Sequence, residues 1–248
     1  MTEIFDRYAK FYDSLYAEKD YAEECAYVLS LLQDSEIKTA LDFGCGTGKF
    51  TEQFAAKGFC VDGIDISAKM IEIAQERLVL EPHLASLEIT YEAADVRTFT
   101  PKKQYDLVYS LFHVINYMTS DDDLRDFFGS AAKALRKDGL LIFDFWYGPG
   151  VEADSPTERK KMVDWNGETL GRTAKPRLIP EKNLVMVEYQ IETAKEVFSE
   201  LHTMRYLFDA DIDLFSAPYF ATESILGWRE DTAPTSDNWN AVAILRKT

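Results

Sequence analysis

The sequence predicts an α/β protein: a mostly parallel sheet covered by helices on both faces, with a smaller antiparallel insertion. Three observations carry that reading. From residue 37 to 146 short apolar runs alternate with helical patterns, the βαβ rhythm of a parallel sheet. The first run passes through an acid into spaced glycines, LDFGCGTG over 41–48, a bare turn between a strand and a helix. After Trp146 the rhythm changes: YGPG and DSP break the chain, and residues 160–208 alternate as strands do.

In chain order, residues 3–17 and 20–34 have the spacing of two amphipathic helices. TALDFG (39–44) is a strand, and GKFTEQFAAKG (48–58) a helix closed by Gly58. CVDGIDI (60–66) is the second strand. Ser67 is placed to cap the next helix, whose Met70, Ile71 and Ala74 share a face. LEITYEAAD (87–95) and YDLVYSLF (105–112) are strands three and four. Residues 121–139 form a long helix with acids first and Gly139 as its stop. LLIFDFW (140–146) is strand five. Beyond the insertion lie a short helix (209–220) and two closing strands, near 222–229 and at 240–247, making seven in the main sheet.

The 248 residues suit one large domain. The main domain is expected over 1–159 and 209–248, with a helical cap at 1–36, and the insertion over 160–208. A net charge of −16 repels a polyanion, so nucleic acid is not expected as a partner. No run reaches the ~20 apolar residues of a membrane helix, and the charged N-terminus is unlike a signal peptide. Three cysteines without a CxxC pair point to a reducing, cytoplasmic setting. No His/Cys group has metal-ligand spacing, so no metal is expected.

The glycine spacing, Gly44-x-Gly46-x-Gly48 after Asp42, differs from the G-x-G-x-x-G of dinucleotide sites. LDFGCGTG resembles motif I of the class I S-adenosylmethionine-dependent methyltransferases, and the following segments resemble that family in order. The resemblance implies a Rossmann-like fold and S-adenosylmethionine as cofactor. It implies cofactor binding by Asp42, Gly44, Gly46 and Gly48. It implies that Asp65 bonds the ribose hydroxyls, with Ile66 and Met70 beside it, and that Asp95, next to Val96, contacts the adenine amino group. Ser110 and Leu111 would border the methyl. The chemistry agrees: backbone N–H groups and a helix N-terminus suit the ligand's carboxylate, and one carboxylate can accept from two hydroxyls. From the residues alone, Asp65 is also readable as a helix cap and Asp95 as a turn acid.

The opening segment FDRYAKFYDSLYAEKDY resembles that of small-molecule methyltransferases acting on nucleotide-linked amino sugars or on glycine, which implies that Tyr12 and Tyr16 close over the cofactor. Aromatic faces suit a sulfonium, though an i, i+4 pair also forms a core stripe. At the end of strand four, His113 is a candidate base for a small-molecule acceptor or a structural cap, and Tyr117 orients that acceptor or packs. Trp146 and Tyr147 are candidate platforms for a sugar or base. Arg205 would meet a phosphate or carboxylate, or form an ion pair. The favoured acceptor is a nucleotide-linked sugar, methylated on an amino or hydroxyl group. The alternatives are an amino acid or other small amine, and a binding module without transfer. The protein is expected as a monomer or homodimer.

Overall fold

The computed structural model describes residue 5 and residues 7–32 and 37–248. The first helix, α1 (Ala9–Leu15), buries Phe11 and Leu15. Asp20 caps α2 (Tyr21–Ser30) by accepting from the Glu23 backbone N–H at 2.8 Å. The helices expected over 3–17 and 20–34, and the cap over 1–36, also include residues 1–4, 6 and 33–36, which lie outside the described ones.

β1 (Thr39–Phe43) runs through the glycines into α3 (Lys49–Ala56), closed by Gly58 at φ +93°. β2 (Cys60–Asp65) leads to α4 (Ala68–Leu80), whose first turn Ser67 caps by accepting from the Met70 N–H at 3.2 Å. β3 (Ile89–Ala93) and β4 (Tyr105–Ser110) follow, then a 3-10 turn at Val114–Tyr117. A reciprocal Ser120–Asp123 cap starts α5 (Asp121–Ala134).

α5 stops short of Gly139. Leu135 already pairs with Tyr105, opening β5 (Leu135–Trp146), and the ladder skips before Leu140 meets Leu107. The extra residues bulge, with Asp138 at φ +62°. Gly139 sits where a Cβ would stand 3.0 Å from the Arg136 carbonyl oxygen and 3.1 Å from that of Asp106. The expected break at YGPG is instead a one-turn helix, α6 (Gly148–Ala153), because a proline in the first turn forfeits no helical hydrogen bond.

Four antiparallel strands come next: β6 (Arg159–Trp165), β7 (Glu168–Ile179), β8 (Leu184–Glu192) and β9 (Val197–Arg205). Asn166 and Gly167 turn the first hairpin, both at positive φ. α7 (Asp209–Ser216), β10 (Phe220–Gly227) and β11 (Asn240–Lys247) close the chain.

The main sheet has the order β10-β11-β5-β4-β1-β2-β3, antiparallel only at its β10 and β11 edge. Along each strand alternate residues enter opposite layers. Leu41, Phe43 and Phe143 pack with Phe127 and Phe128 of α5. Ala40, Val61 and Leu107 pack with Phe50 and Phe54 of α3 and with Cys25 and Val28 of α2. α1 belongs elsewhere: its Phe11 and Leu15 pack with Leu170, Ile191 and Phe198 of the four-stranded sheet. The sheet order reverses between β1 and β4, and such a switch point opens a crevice at the strands' carboxyl ends.

Candidate functional site

A cavity of about 410 Å³ fills that crevice, and residues of α1 and the four-stranded sheet line its other side. On the main-sheet side Gly44, Gly46 and Gly48 have φ of +80°, +55° and +83°. A Cβ on Gly46 would meet no protein atom within 4 Å, so bare backbone faces the cavity there. Gly48 is fixed by packing instead, since its Cβ would lie 2.2 Å from the Tyr91 hydroxyl oxygen.

Asp65 ties this loop to the end of β2. Its carboxylate accepts from the Gly46 N–H at 2.9 Å and the Ser67 N–H at 2.8 Å. A carboxylate has about four lone-pair sites, so two remain for a ligand's hydroxyl groups. Burial raises the pKa of Asp65, and the two backbone bonds oppose that rise. The bare glycine backbone beside a half-satisfied acid fits the ammonium, carboxylate and ribose of S-adenosylmethionine. Ile66 and Met70 continue the wall.

Asp95 and Val96 line the cavity beyond β3. Burial disfavours the charged form of Asp95, but Arg97 outweighs it and holds the carboxyl below its ordinary range. Arg97 grips both Asp95 oxygens and also pairs with Asp123 at 2.6 Å. Leu111 faces the cavity. Ser110 does not: its buried hydroxyl donates to the Phe43 carbonyl at 2.9 Å, stitching β4 to β1. Asp42 also lies behind the loop, buried, accepting from the Thr51 hydroxyl at 2.7 Å. Burial pushes its carboxyl up to about 7.

Just beyond β4 come two strained residues, Phe112 at φ +68° and His113 at φ +65°, a conformation that costs a non-glycine residue and clusters at functional sites. Asp144 of β5 holds it in place. One carboxylate oxygen accepts from the His113 backbone N–H at 2.9 Å, and the other stands 2.9 Å from His113 Nδ1. Asp144 is buried, so a fixed carboxylate holds the His113 backbone and stands beside the ring without a hydrogen bond to Nδ1; Nε2 has no partner among the described residues. The sequence carried a signal for Asp144 that went unread: one acid inside the apolar run LLIFDFW.

Across the cavity, Tyr12 and Tyr16 line the wall with ring centroids 4.8 Å apart. Asp13 of the same helix accepts from the Thr47 hydroxyl at 2.6 Å, docking α1 onto the glycine loop. Burial pushes the Tyr117 phenol well up, with nearby tyrosines adding to it. It therefore stays protonated, and its hydroxyl shares a hydrogen bond with His202 Nδ1 at 2.8 Å. Beyond His202, Glu200 accepts from the Phe5 and Tyr8 backbone N–H groups at 3.1 Å each. Arg172 donates to the Tyr8 and Tyr16 hydroxyls at 3.1 and 2.9 Å. Buried Asn116 joins the two sheets, accepting from the Trp146 N–H and donating to the Arg205 carbonyl. Nothing in the sequence pattern marked these long-range contacts.

Trp146 reaches the cavity, its ring 6.0 Å from that of His113. Tyr147 turns instead into the core around α5 and α7. Arg205 is likewise off the cavity, in a nearly buried bridge to Asp121 at 2.7 Å and Asp211 at 2.8 Å. Among the described residues no group of three His, Cys, Asp or Glu is placed to hold a metal, and no helix is long and apolar enough to cross a membrane.

Residues 40–139 match the family described as Methyltransferase domain. A putative methyltransferase of Bacillus subtilis is 30% identical over 57% of this chain and 55% of its own length, so the chain spans about half of that relative. The dTDP-3-amino-3,4,6-trideoxy-alpha-D-glucopyranose N,N-dimethyltransferase of Streptomyces venezuelae is 26% identical over 89% of this chain and 92% of its own. An S-adenosylmethionine-dependent methyltransferase structure from Clostridium acetobutylicum superposes with a TM-score of 0.80 over 98% of both chains, at 18% identity. Residues 40–139 thus carry a methyltransferase domain, within a fold shared by S-adenosylmethionine-dependent methyltransferases of known structure.

Proposed function

We propose that this chain is an S-adenosylmethionine-dependent methyltransferase that methylates the amino group of a small soluble acceptor, a nucleotide-linked amino sugar. One observation carries the reading: the glycine loop, His113 and the tyrosines of α1 line one cavity, with buried Asp144 beside the histidine. The Streptomyces relative, named for an amino-sugar acceptor, aligns over 89% of this chain.

Bound S-adenosylmethionine supplies an electrophilic methyl on a sulfonium sulfur. The chain's own residues seat, enclose and deprotonate. Gly46 and Asp65 hold the polar end of the cofactor, and the Tyr12 and Tyr16 rings face its cationic centre. An amine attacks only as the free base, so a proton must leave. His113, its backbone held by Asp144, accepts it, while Tyr117, bonded to His202, orients the acceptor. Positioning supplies much of the rate. The unpaired cysteines fit the reducing, cytoplasmic compartment we propose.

The test is methyl transfer from labelled S-adenosylmethionine to panels of nucleotide-linked amino sugars, nucleotide-linked neutral sugars and free amino acids. Label on the amino sugars alone is the expected result; label only on amino acids or neutral sugars overturns the acceptor class. His113→Asn should lower turnover about tenfold to a hundredfold and change its pH profile. An unchanged pH profile removes His113 from proton transfer.

A further inference from the structure

The structure assigns the part of the cavity lined by Arg159, Asn240, Trp146 and Trp239 as the seat of a nucleoside diphosphate. This inference rests on the nucleotide-linked acceptor proposed above and names the residues that would hold its handle.

The first reason is charge. Three Lys or Arg side chains line the cavity: Lys49, Arg97 and Arg159. Lys49 stands 3.8 Å from Asp13, and Arg97 is held by Asp95 and Asp123. Arg159 has no carboxylate partner among the described residues. In a chain with 43 acids and 27 Lys or Arg residues, an arginine without an acid on a cavity wall is free to take an anion. Its planar fork matches phosphate oxygens two at a time.

The second reason is an orphaned acceptor. Asn240 Oδ1 is buried and has no hydrogen-bond partner among the described residues, yet Asn240 lines the cavity. Leaving such a group unpaired is costly, so a donor is wanted from a ligand. An amide presents an acceptor and donors in one plane, the pattern that pairs with the edge of a nucleobase.

The third reason is the platform. The Trp146 and Trp239 rings lie 5.4 Å apart at 66°. Trp239 is locked by its indole N–H, which donates to the Asp154 carbonyl at 2.8 Å. Aromatic faces held in this way stack bases. Asn240 is paired with Trp146 across β11 and β5 and Trp239 precedes it; Arg159 opens β6 five residues after Asp154, whose carbonyl holds Trp239, and lines the same cavity. This seat lies on the β5–β11 side, whereas Asp65 and Gly46 lie on the β1–β2 side. Trp146 adjoins His113, so a sugar attached to the diphosphate lies between the seat and the histidine.

Calorimetric titration tests this with thymidine diphosphate, uridine diphosphate and inorganic pyrophosphate, in the presence of S-adenosylhomocysteine. The variants are Arg159→Gln, Asn240→Ala and, as a bulk-charge control, Lys160→Gln. Arg159→Gln should weaken all three ligands at least tenfold. Asn240→Ala should weaken the nucleotides and leave pyrophosphate unchanged, and Lys160→Gln should match the wild type. Arg159 is exposed, so its variant carries the test even if Asn240→Ala fails to fold. Methylation of a nucleotide sugar with wild-type affinities in both variants overturns this seat alone. A wild type that binds no nucleoside diphosphate and methylates only free amines overturns the acceptor reading as well.

Discussion

The two walls of the cavity are built differently. The main-sheet wall is local and rests on backbone: Gly46 and Ser67 reach Asp65 across 19 and 2 residues of chain. The roof, made of α1 and the four-stranded sheet, is non-local and rests on side chains. Tyr117 meets His202 across 85 residues, Tyr16 meets Arg172 across 156 and Phe5 meets Glu200 across 195. Charge is handled differently too. The glycine wall buries carboxylates, Asp42 completely, whereas the roof sets a guanidinium among tyrosine rings. Rigid local geometry suits a cofactor common to a whole family. A roof assembled from distant segments can change with the acceptor.

The largest expected effect separates the walls by pH. The Asp42 carboxyl is raised from 3.8 to about 7, burial being the chief cause. Below pH 3.8 it is protonated in both folded and unfolded chains. Between pH 3.8 and about 7 the unfolded chain releases the proton and the folded chain keeps it, so stability falls across that window and stays lower above it. The loss is at most about 4 kcal/mol. Asp42→Asn should remove it, with the variant gaining on the wild type from pH 4 to pH 8 in urea denaturation. Identical pH slopes for the two proteins would show that Asp42 is solvated and that the glycine wall is not rooted in a buried acid.

The next effect is on ligand binding. Asp65→Ala removes the acceptor for two loop N–H groups and for the ribose hydroxyls together. Bonds to a charged group contribute about 1.5–3 kcal/mol, so S-adenosylmethionine affinity should fall about tenfold to a hundredfold in calorimetry. Removing the Glu200 carboxylate, which anchors α1 from the roof, should weaken the same ligand far less. Equal losses would mean that both walls bind the cofactor alike.

The same contrast explains what the sequence disclosed. The glycine wall was legible because its signals are short-range: positive-φ glycines, an acid at a strand end, a serine cap at Ser67. The antiparallel roof was legible as alternation and turn chemistry, as at Asn166 and Gly167. What failed were positions decided by packing at a distance. Gly139 looks like a helix stop, but the pairing of Leu135 with Tyr105 ends α5 earlier. Asp42, Gly48 and Ser110 carry the expected motif yet serve the scaffold behind the cavity. Tyr147 and Arg205 alternate out of the site once the register of β5 and β9 is fixed. Asp144, Asn116, Arg172 and His202 join the site through partners from 31 to 164 residues away, and periodicity has no access to such pairs.

The smallest expected effect probes how the roof is held. Arg172 donates from one Nη atom to two tyrosine hydroxyls, and its plane lies 5.3 Å from the ring centroids of both Tyr16 and Tyr189. A lysine retains the charge and loses the planar guanidinium. If α1 is held by those two directed bonds from the planar guanidinium, Arg172→Lys should cost about 1 kcal/mol in stability, about as much as Arg172→Met. Both should raise the KM for S-adenosylmethionine a few-fold, because Tyr16 is no longer fixed over the cavity. If charge over the aromatic rings is sufficient, lysine restores wild-type behaviour and methionine alone is impaired. The pair of variants therefore decides whether the roof resembles the glycine wall, where each bond has a fixed direction, or is a softer aromatic and cationic contact that can shift with its acceptor.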